Sequence, residues 1–207
     1  AYKELRKFEM ELLKRIQELE LEKTGQFSKP FSVIQVSQFY GIEIDDFAHE
    51  IAILSLWLAE HQMNLMFKIE LGEYLPSLPL KRSGNIVSGN ATLIEWEEVC
   101  ENNGDIYILG NPPYLGAKRQ SKKQKEDMEM VFINSKTYKN LDYISCWFFK
   151  AAQYIENNPS AKSGFVSTNS IAQGDQANLL WTELNRFKNI EIGFAYTSFK
   201  WGNSAKD

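Results

Sequence analysis

Apolar residues recur every three or four positions in four stretches of the chain, a spacing that predicts amphipathic helices. The first stretch covers residues 1–23 and carries a one-sided stripe: Leu5, Phe8, Leu12, Leu13, Ile16 and Leu19. The others cover residues 45–66, 141–155 and 174–187. Because the 45–66 stretch is strongly apolar, we expect it to pack on a sheet, with Trp57 and its methionines in the core.

Short runs of β-branched and aromatic residues alternate with these helices. They predict strands near residues 39–44, 86–88, 105–109, 163–168 and 190–197, and the prolines within residues 70–84 predict a loop. Strands that alternate with helices are typical of a mostly parallel α/β sheet with helices on both faces. We expect residues 1–207 to form one domain. The uncapped first helix and the final loop favour a chain cut at both ends.

One predicted strand, 105–109, runs directly into the turn Asn111-Pro112-Pro113-Tyr114. The two prolines prevent a helix or a strand ladder from continuing, so the side chain of Asn111 is held at the carboxyl end of the strand. In open α/β sheets, ligands bind at that edge.

This turn has the groups needed to activate a planar amine for methyl transfer. The lone pair of such an amine is delocalised, but hydrogen bonds from its two N–H groups to the Asn111 side-chain oxygen and the Pro112 carbonyl would free it for attack. Pro113 stiffens the turn, and Tyr114 offers a flat face for a conjugated base. The alternative is an ordinary tight loop, because Asn and Pro are common turn formers.

Acidic residues lie at the end of the 39–44 strand and directly after it. Glu43 stands where a carboxylate can accept hydrogen bonds from both hydroxyls of a ribose. The alternative is a solvated strand end or the N-cap of the next helix, and the N-cap role suits Asp45 or Asp46 better than Glu43.

A basic segment, residues 118–125 (KRQSKKQK), follows the Asn-Pro-Pro-Tyr turn. Its position favours contacts of Lys118, Arg119 and Lys122 with DNA phosphates. The alternative is a solvated helix face, because acidic residues follow at once.

The composition of the chain argues against several kinds of surface, binding site and cellular location. A net charge of −4 and a pI near 5.4 argue against a surface that coats nucleic acid everywhere, so any DNA contact is local. Cys100 and Cys146 read as reduced core thiols, and His49 and His61 face different sides of one helix, so we expect no disulfide and no metal site. No long apolar run or signal peptide is present, which favours a cytoplasmic protein without a membrane partner.

Four segments together resemble the adenine-specific (N6) DNA methyltransferase domain of single-chain type IIG/IIL restriction–modification enzymes. They are residues 110–118 (GNPPYLGAK), 141–144 (LDYI), 165–171 (FVSTNSI) and 198–201 (SFKW). The resemblance covers nearly the whole chain. It implies a Rossmann-like class I methyltransferase fold, S-adenosyl-L-methionine as cofactor, and methyl transfer to an adenine flipped out of double-stranded DNA.

The resemblance also assigns roles to individual residues. Asn111, Pro112, Pro113 and Tyr114 form the catalytic turn; Glu43, Ile44, Asn90, Ala91 and Asn111 are the cofactor-binding candidates. Asn90 stands where many relatives have Asp, but either side chain can accept from the adenine amine of the cofactor. Phe199 occupies the place of a second aromatic residue that stacks on the flipped base, and the alternative is a core residue at the end of the sheet.

The family's Gly-rich cofactor loop and target-recognition domain are not in the sequence. We therefore expect the 207 residues alone to be inactive, within a longer protein that can also carry a nuclease domain. Two alternatives remain: a non-catalytic scaffold that binds cofactor or DNA, and methylation of a protein glutamine amide, which uses the same turn.

Overall fold

A computed structural model of the chain describes residues 1–73, 85–135, 137–196 and 199. The helices are α1 (Tyr2–Thr24), α2 (Asp46–Leu71), α3 (Trp96–Val99), α4 (Lys122–Val131), α5 (Ser145–Glu156) and α6 (Gly174–Leu184). The strands are β1 (Tyr40–Glu43), β2 (Asn85–Ser88), β3 (Tyr107–Gly110) and β4 (Lys162–Phe165). Contacts divide the chain into two compact units, Ala1–Asn90 and Ala91–Asp207.

The strands pair in parallel, as predicted. In the first unit β1 pairs with β2, with Tyr40 opposite Asn85 and Glu43 opposite Ser88. In the second unit β3 pairs with β4 in the same way. Gly41 permits the first pairing, because a side chain there would come within 2.8 Å of the Ile86 side chain. The described structure is thus mixed α/β with two small parallel sheets.

The predicted strand at 190–197 is wrong for residues 190–196, which form no strand; residue 197 lies outside the described residues. Three of its alternating apolar residues, Ile192, Phe194 and Tyr196, are exposed, and only Ile190 packs against the core. The pattern was correct for a half-buried strand, but a strand also needs a hydrogen-bonding neighbour, and the sequence does not show whether one is available. Helix α2 continues to Leu71, beyond its predicted end at residue 66, and Gly72 ends it in a left-handed conformation; residues 74–84 of the predicted loop lie outside the described residues.

In the first unit, α1 packs on α2 through a partly polar face. Arg6 is buried there and donates to the Tyr2 hydroxyl (3.1 Å) and to Asn64 Oδ1 (3.3 Å), and its Nε lies 3.3 Å from Glu9 Oε2. Because these groups are paired, they can be buried. Most of the apolar stripe predicted from the sequence is exposed instead: Leu5, Phe8, Leu12, Ile16 and Leu19.

In the second unit, α4, α5 and α6 enclose the main core. Its buried members are Met128, Phe132, Leu141, Tyr143, Cys146, Ala152, Leu180 and Leu184. Cys146 is the core thiol that the sequence predicts, whereas Cys100 is only partly buried, and neither forms a disulfide. Burial raises the pKa of the Cys146 thiol and keeps it protonated.

Helix starts follow local signals. Asp45 caps α2 by accepting from the Ala48 N–H at 2.8 Å, and Ser121 caps α4 in a reciprocal box with Gln124. The second half of the basic segment, residues 122–125, therefore forms the first turn of α4. Within the described ranges, no helix has the length and apolar composition of a membrane span. The same ranges contain no cluster of three or more His, Cys, Asp or Glu residues arranged to hold a metal ion.

Candidate active site

The Asn-Pro-Pro-Tyr turn begins where β3 ends. The Gly110 carbonyl accepts from the Val166 N–H at 3.0 Å, which extends the β3–β4 ladder to the last residue before the turn. A side chain at Gly110 would make ordinary van der Waals contact with the ring of Phe165, at 3.4 Å, so β4 packs directly beside this residue. The predicted strand and turn are both present, with the strand two residues later than predicted at its start.

Within the turn, Pro112 is buried while Asn111 and Tyr114 are exposed. The Tyr114 hydroxyl lies 3.4 Å from Asn111 Oδ1, a long contact in which tyrosine donates. Tyr114 is 42% exposed, so part of its ring is available for stacking. The turn therefore presents an amide oxygen and an aromatic face side by side.

The chain after the turn is held by residues that sequence reasoning did not assign to the site. Leu115 N–H donates to Asp142 Oδ1 at 2.7 Å, and the Leu115 carbonyl accepts from Tyr143 N–H (3.0 Å) and Gln120 Nε2 (3.1 Å). The available signal was a polar residue, Asp142, inside the otherwise apolar 141–144 segment, but its partner cannot be read from spacing.

The cofactor candidates of the first unit lie at one edge of the β1–β2 pair. Since the two strands are parallel and end in register, Glu43, the last residue of β1, and Asn90, two residues after β2, both lie at the carboxyl ends of their strands. Glu43 Oε1 accepts from Asp45 N–H at 3.1 Å, while Asp45 caps α2 and Asp46 accepts from Ser88 Oγ at 2.8 Å. The N-cap alternative is thus taken by Asp45, and the Glu43 carboxylate keeps further acceptor positions.

The remaining cofactor candidates are Ile44, which is exposed, and Ala91, whose carbonyl accepts from Trp96 Nε1 at 2.9 Å. Ala91 begins the second unit, which also contains Asn111. The convergence of Glu43, Asn90 and Asn111 on one site stays a prediction.

The DNA-binding candidates are exposed. Lys118 and Arg119 lie in the single turn Ala117–Arg119, and Lys122 is the first residue of α4, with its Nζ 3.8 Å from Glu126. A cavity of about 540 Å³ opens beside them and is lined by lysines together with Glu126 and Glu129. The lysines are Lys118, Lys122, Lys125 and Lys139.

Phe199 is 62% exposed in the structure. The other residues of its motif, 198, 200 and 201, lie outside the described residues. Its stacking role stays a prediction.

A parallel α/β domain with an Asn-Pro-Pro-Tyr turn directly after a strand has the features of an amino-methyltransferase domain. The chain matches the family described as "MmeI, DNA-methyltransferase domain" over residues 1–207, and it belongs to that family.

Two known proteins illustrate the similarity. The chain is 51% identical over 210 residues to DNA methyltransferase A of Bacillus subtilis (strain 168), covering all of this chain and 23% of that protein. The type IIL restriction–modification enzyme MmeI, solved in complex with DNA, is 42% identical with a TM-score of 0.78, covering 89% of this chain and 24% of that one. The chain thus spans about a quarter of the length of the relatives it matches.

Proposed function

We propose that this chain is the catalytic domain of a DNA adenine-N6 methyltransferase within a restriction–modification enzyme. The observation that carries the proposal is the Asn111–Tyr114 turn, which follows a parallel strand and presents an amide oxygen beside an aromatic ring. Membership of the MmeI methyltransferase family supports the reaction class. Parallel strands and flanking helices support a Rossmann-like class I methyltransferase fold.

Asn111 and Pro112 activate the target amine in this proposal. The Asn111 side-chain oxygen and the Pro112 carbonyl each accept one N–H of the adenine amine, which draws the nitrogen toward tetrahedral geometry. Proline lacks an N–H, so no donor competes at that position. The lone pair freed by Asn111 and Pro112 would accept the methyl group that the cofactor supplies, and the nitrogen would release one proton to water afterwards.

S-adenosyl-L-methionine supplies the electrophilic methyl group when bound. Glu43, Ile44, Asn90 and Ala91 are the residues that would hold it. Glu43 suits the ribose because its carboxylate has acceptor positions beyond the contact with the Asp45 N–H. The Asn90 amide can accept from the exocyclic amine of the cofactor's adenine, and exposed Ile44 offers an apolar surface.

The substrate in this proposal is an adenine flipped out of double-stranded DNA. Unstacking a base costs a few kcal/mol, and aromatic side chains in the pocket offset that cost. Tyr114 and Phe199 are exposed aromatic residues available for this role. Lys118, Arg119 and Lys122 would hold the neighbouring phosphates, since they are exposed cations within eight residues of Tyr114.

The test is an assay of the full-length protein with labelled S-adenosyl-L-methionine and adenine-containing duplex DNA, followed by detection of N6-methyladenine. We expect Asn111→Ala to lower turnover by at least about 100-fold while cofactor binding is largely kept, because an acceptor for the target amine is lost and the other cofactor-binding candidates, Glu43, Ile44, Asn90 and Ala91, remain. Asn178→Ala, which truncates an exposed asparagine on α6, is the matched control and should be fully active.

Three outcomes would contradict the proposal. Binding of cofactor and DNA without transfer would indicate a scaffold. Label on protein glutamine instead of DNA would indicate the glutamine-amide reaction. Normal turnover of Asn111→Ala would remove Asn111 from the chemistry.

A further inference from the structure

Leu115, the residue directly after the Asn-Pro-Pro-Tyr turn, has both of its main-chain polar groups bound by distant parts of the second unit. Its N–H donates to Asp142 Oδ1 at 2.7 Å. Its carbonyl accepts from the Tyr143 N–H at 3.0 Å and from Gln120 Nε2 at 3.1 Å. A surface loop would normally leave such groups to water, so this exit from the turn is unusually well fixed.

Asp142 is the centre of this arrangement. Its side chain is 9% exposed, and its Oδ1 accepts from Ile144 N–H at 3.2 Å as well as from Leu115 N–H. Hydrogen bonds to a carboxylate are shorter and stronger than those between neutral groups. The same oxygen therefore organises the start of α5 and holds the end of the turn.

Two glutamines support Asp142. Gln176 Oε1 of α6 accepts from the Asp142 N–H at 2.8 Å, and its Nε2 donates to the Asn140 carbonyl. Gln120 is buried, and its Nε2 donates to the Leu141 carbonyl at 2.9 Å in addition to Leu115. The backbone on both sides of Asp142 is thereby fixed to the same core that contains α5 and α6.

The turn is consequently held at both ends. Gly110 is fixed at one end by the Val166 N–H, and Leu115 is fixed at the other by Asp142. The four residues between them include two prolines, whose φ angles are restricted by their rings. Little freedom remains for the Asn111 oxygen and the Tyr114 ring, apart from their own side-chain rotations.

We propose that Asp142 is a positioning residue for methyl transfer, which acts through Leu115 to place Asn111 and Tyr114; this inference rests on the proposed function. Asp142 lies in the packed interior and touches the backbone after the turn, so it does not contact the target base. Its effect is on alignment, to which reaction rates are sensitive because a shift of about 1 Å can cost about 100-fold.

The experiment compares Asp142→Ala and Asp142→Asn in the full-length protein with wild type. Alanine removes the acceptor, whereas asparagine keeps an oxygen that can accept from both Leu115 and Ile144. We expect Asp142→Ala to lower kcat by about 10- to 100-fold with KM values for cofactor and DNA nearly unchanged. Asp142→Asn should recover most of the wild-type kcat.

Glu183→Ala is the control for the loss of a buried carboxylate. Glu183 is 1% exposed and accepts from Ser135 Oγ (2.6 Å) and Thr137 Oγ1 (2.9 Å), with no hydrogen bond to the turn. Assays at a temperature where all variants remain folded by circular dichroism should give it a kcat close to wild type.

The outcomes separate the two proposals. Wild-type protein without DNA methylation overturns the proposed function, and this inference with it. Active wild type with equal losses of kcat in Asp142→Ala and Glu183→Ala overturns the positioning role alone. So does failure of asparagine to restore kcat, or a defect confined to KM.

Discussion

The contact between Tyr114 and Asn111 involves the atom on which the proposed chemistry depends. A hydroxyl 3.4 Å from Asn111 Oδ1 is at the long limit for a hydrogen bond, so it restrains the amide only weakly. The oxygen has two lone pairs, and an amine N–H can be accepted without displacing the tyrosine. The sequence predicts the place of both residues because strand and proline signals are local. It cannot predict this contact, since rotamers depend on packing.

The choice of DNA substrate can distinguish a stacking role of Phe199 from a role in the stability of the protein. If its exposed ring stacks on the flipped adenine, Phe199→Ala removes compensation for lost stacking. We expect a larger loss of binding and methylation for adenine in a normal duplex than for adenine in a mismatch, where unpairing costs less. Steady-state kinetics and titrations with both duplexes of the full-length protein provide the measurement.

Phe31→Ala is the matched control for Phe199, because Phe31 is 69% exposed in the segment between α1 and β1. It should affect both duplexes equally and little. Equal losses on both substrates with Phe199→Ala, or a loss of thermal stability alone, would show that Phe199 does not stack on the base.

At the scale of elements, the sequence shows where a helix begins better than it shows which strands pair. Helix starts depend on local residues, whereas strand pairing depends on residues far apart in the chain. Asp45 and Asp46 are the two predicted N-cap candidates of α2, and Asp45 takes that position in the structure. Helix α5 begins at Ser145 and not at Leu141, because the Asp142 side chain bonds backbone N–H groups before the first helical residue. Residues 190–196 illustrate the second case, because their alternating pattern does not show whether a neighbouring strand is available for hydrogen bonding.

The link between α4 and the segment before α5 has a predictable dependence on pH. The Tyr143 hydroxyl is buried and donates to Asp127 Oδ2 at 2.6 Å, and burial, followed by this bond to a carboxylate, raises the Tyr143 pKa well above its ordinary value of 10.0. Above pH 10, the unfolded chain loses this proton while the folded chain keeps it. The free energy of unfolding therefore decreases as pH rises, by up to about 1.4 kcal/mol per pH unit from this group.

Tyr143→Phe should remove that contribution. Urea denaturation of the chain at several pH values from about 8 to 11 should show a shallower decrease above pH 10 in the variant, although its stability at neutral pH is lower by about 1–3 kcal/mol because Asp127 loses a donor. Tyr196→Phe, at an 87% exposed position, is the control. An unchanged slope for Tyr143→Phe would contradict the assignment.

At the scale of the whole molecule, the sequence predicted the α/β class and the parallel pairing because both follow from the alternation of helices and strands. The candidate site residues come from short motifs, and their convergence on one site stays a prediction. The sequence could not predict the hydrogen bonds of Leu115 with Gln120 and Asp142, which join residues up to 27 positions apart. Such contacts depend on tertiary packing that no local pattern contains.

With a net charge of −4, the chain as a whole is repelled by DNA, so phosphate binding must come from a local group of cations. Each phosphate contact releases counterions and adds about one to the slope of log affinity against log salt. Replacing Lys118, Arg119 and Lys122 by glutamine in the full-length protein should lower the magnitude of that slope by about three.

The matched variant replaces three exposed lysines of α1, namely Lys3, Lys7 and Lys23, and makes the same change in net charge. It should change the slope by less than about one, measured by fluorescence anisotropy with a labelled duplex at several NaCl concentrations. If both triple variants lower the slope equally, the effect is one of total charge, and Lys118, Arg119 and Lys122 do not form the local DNA contact.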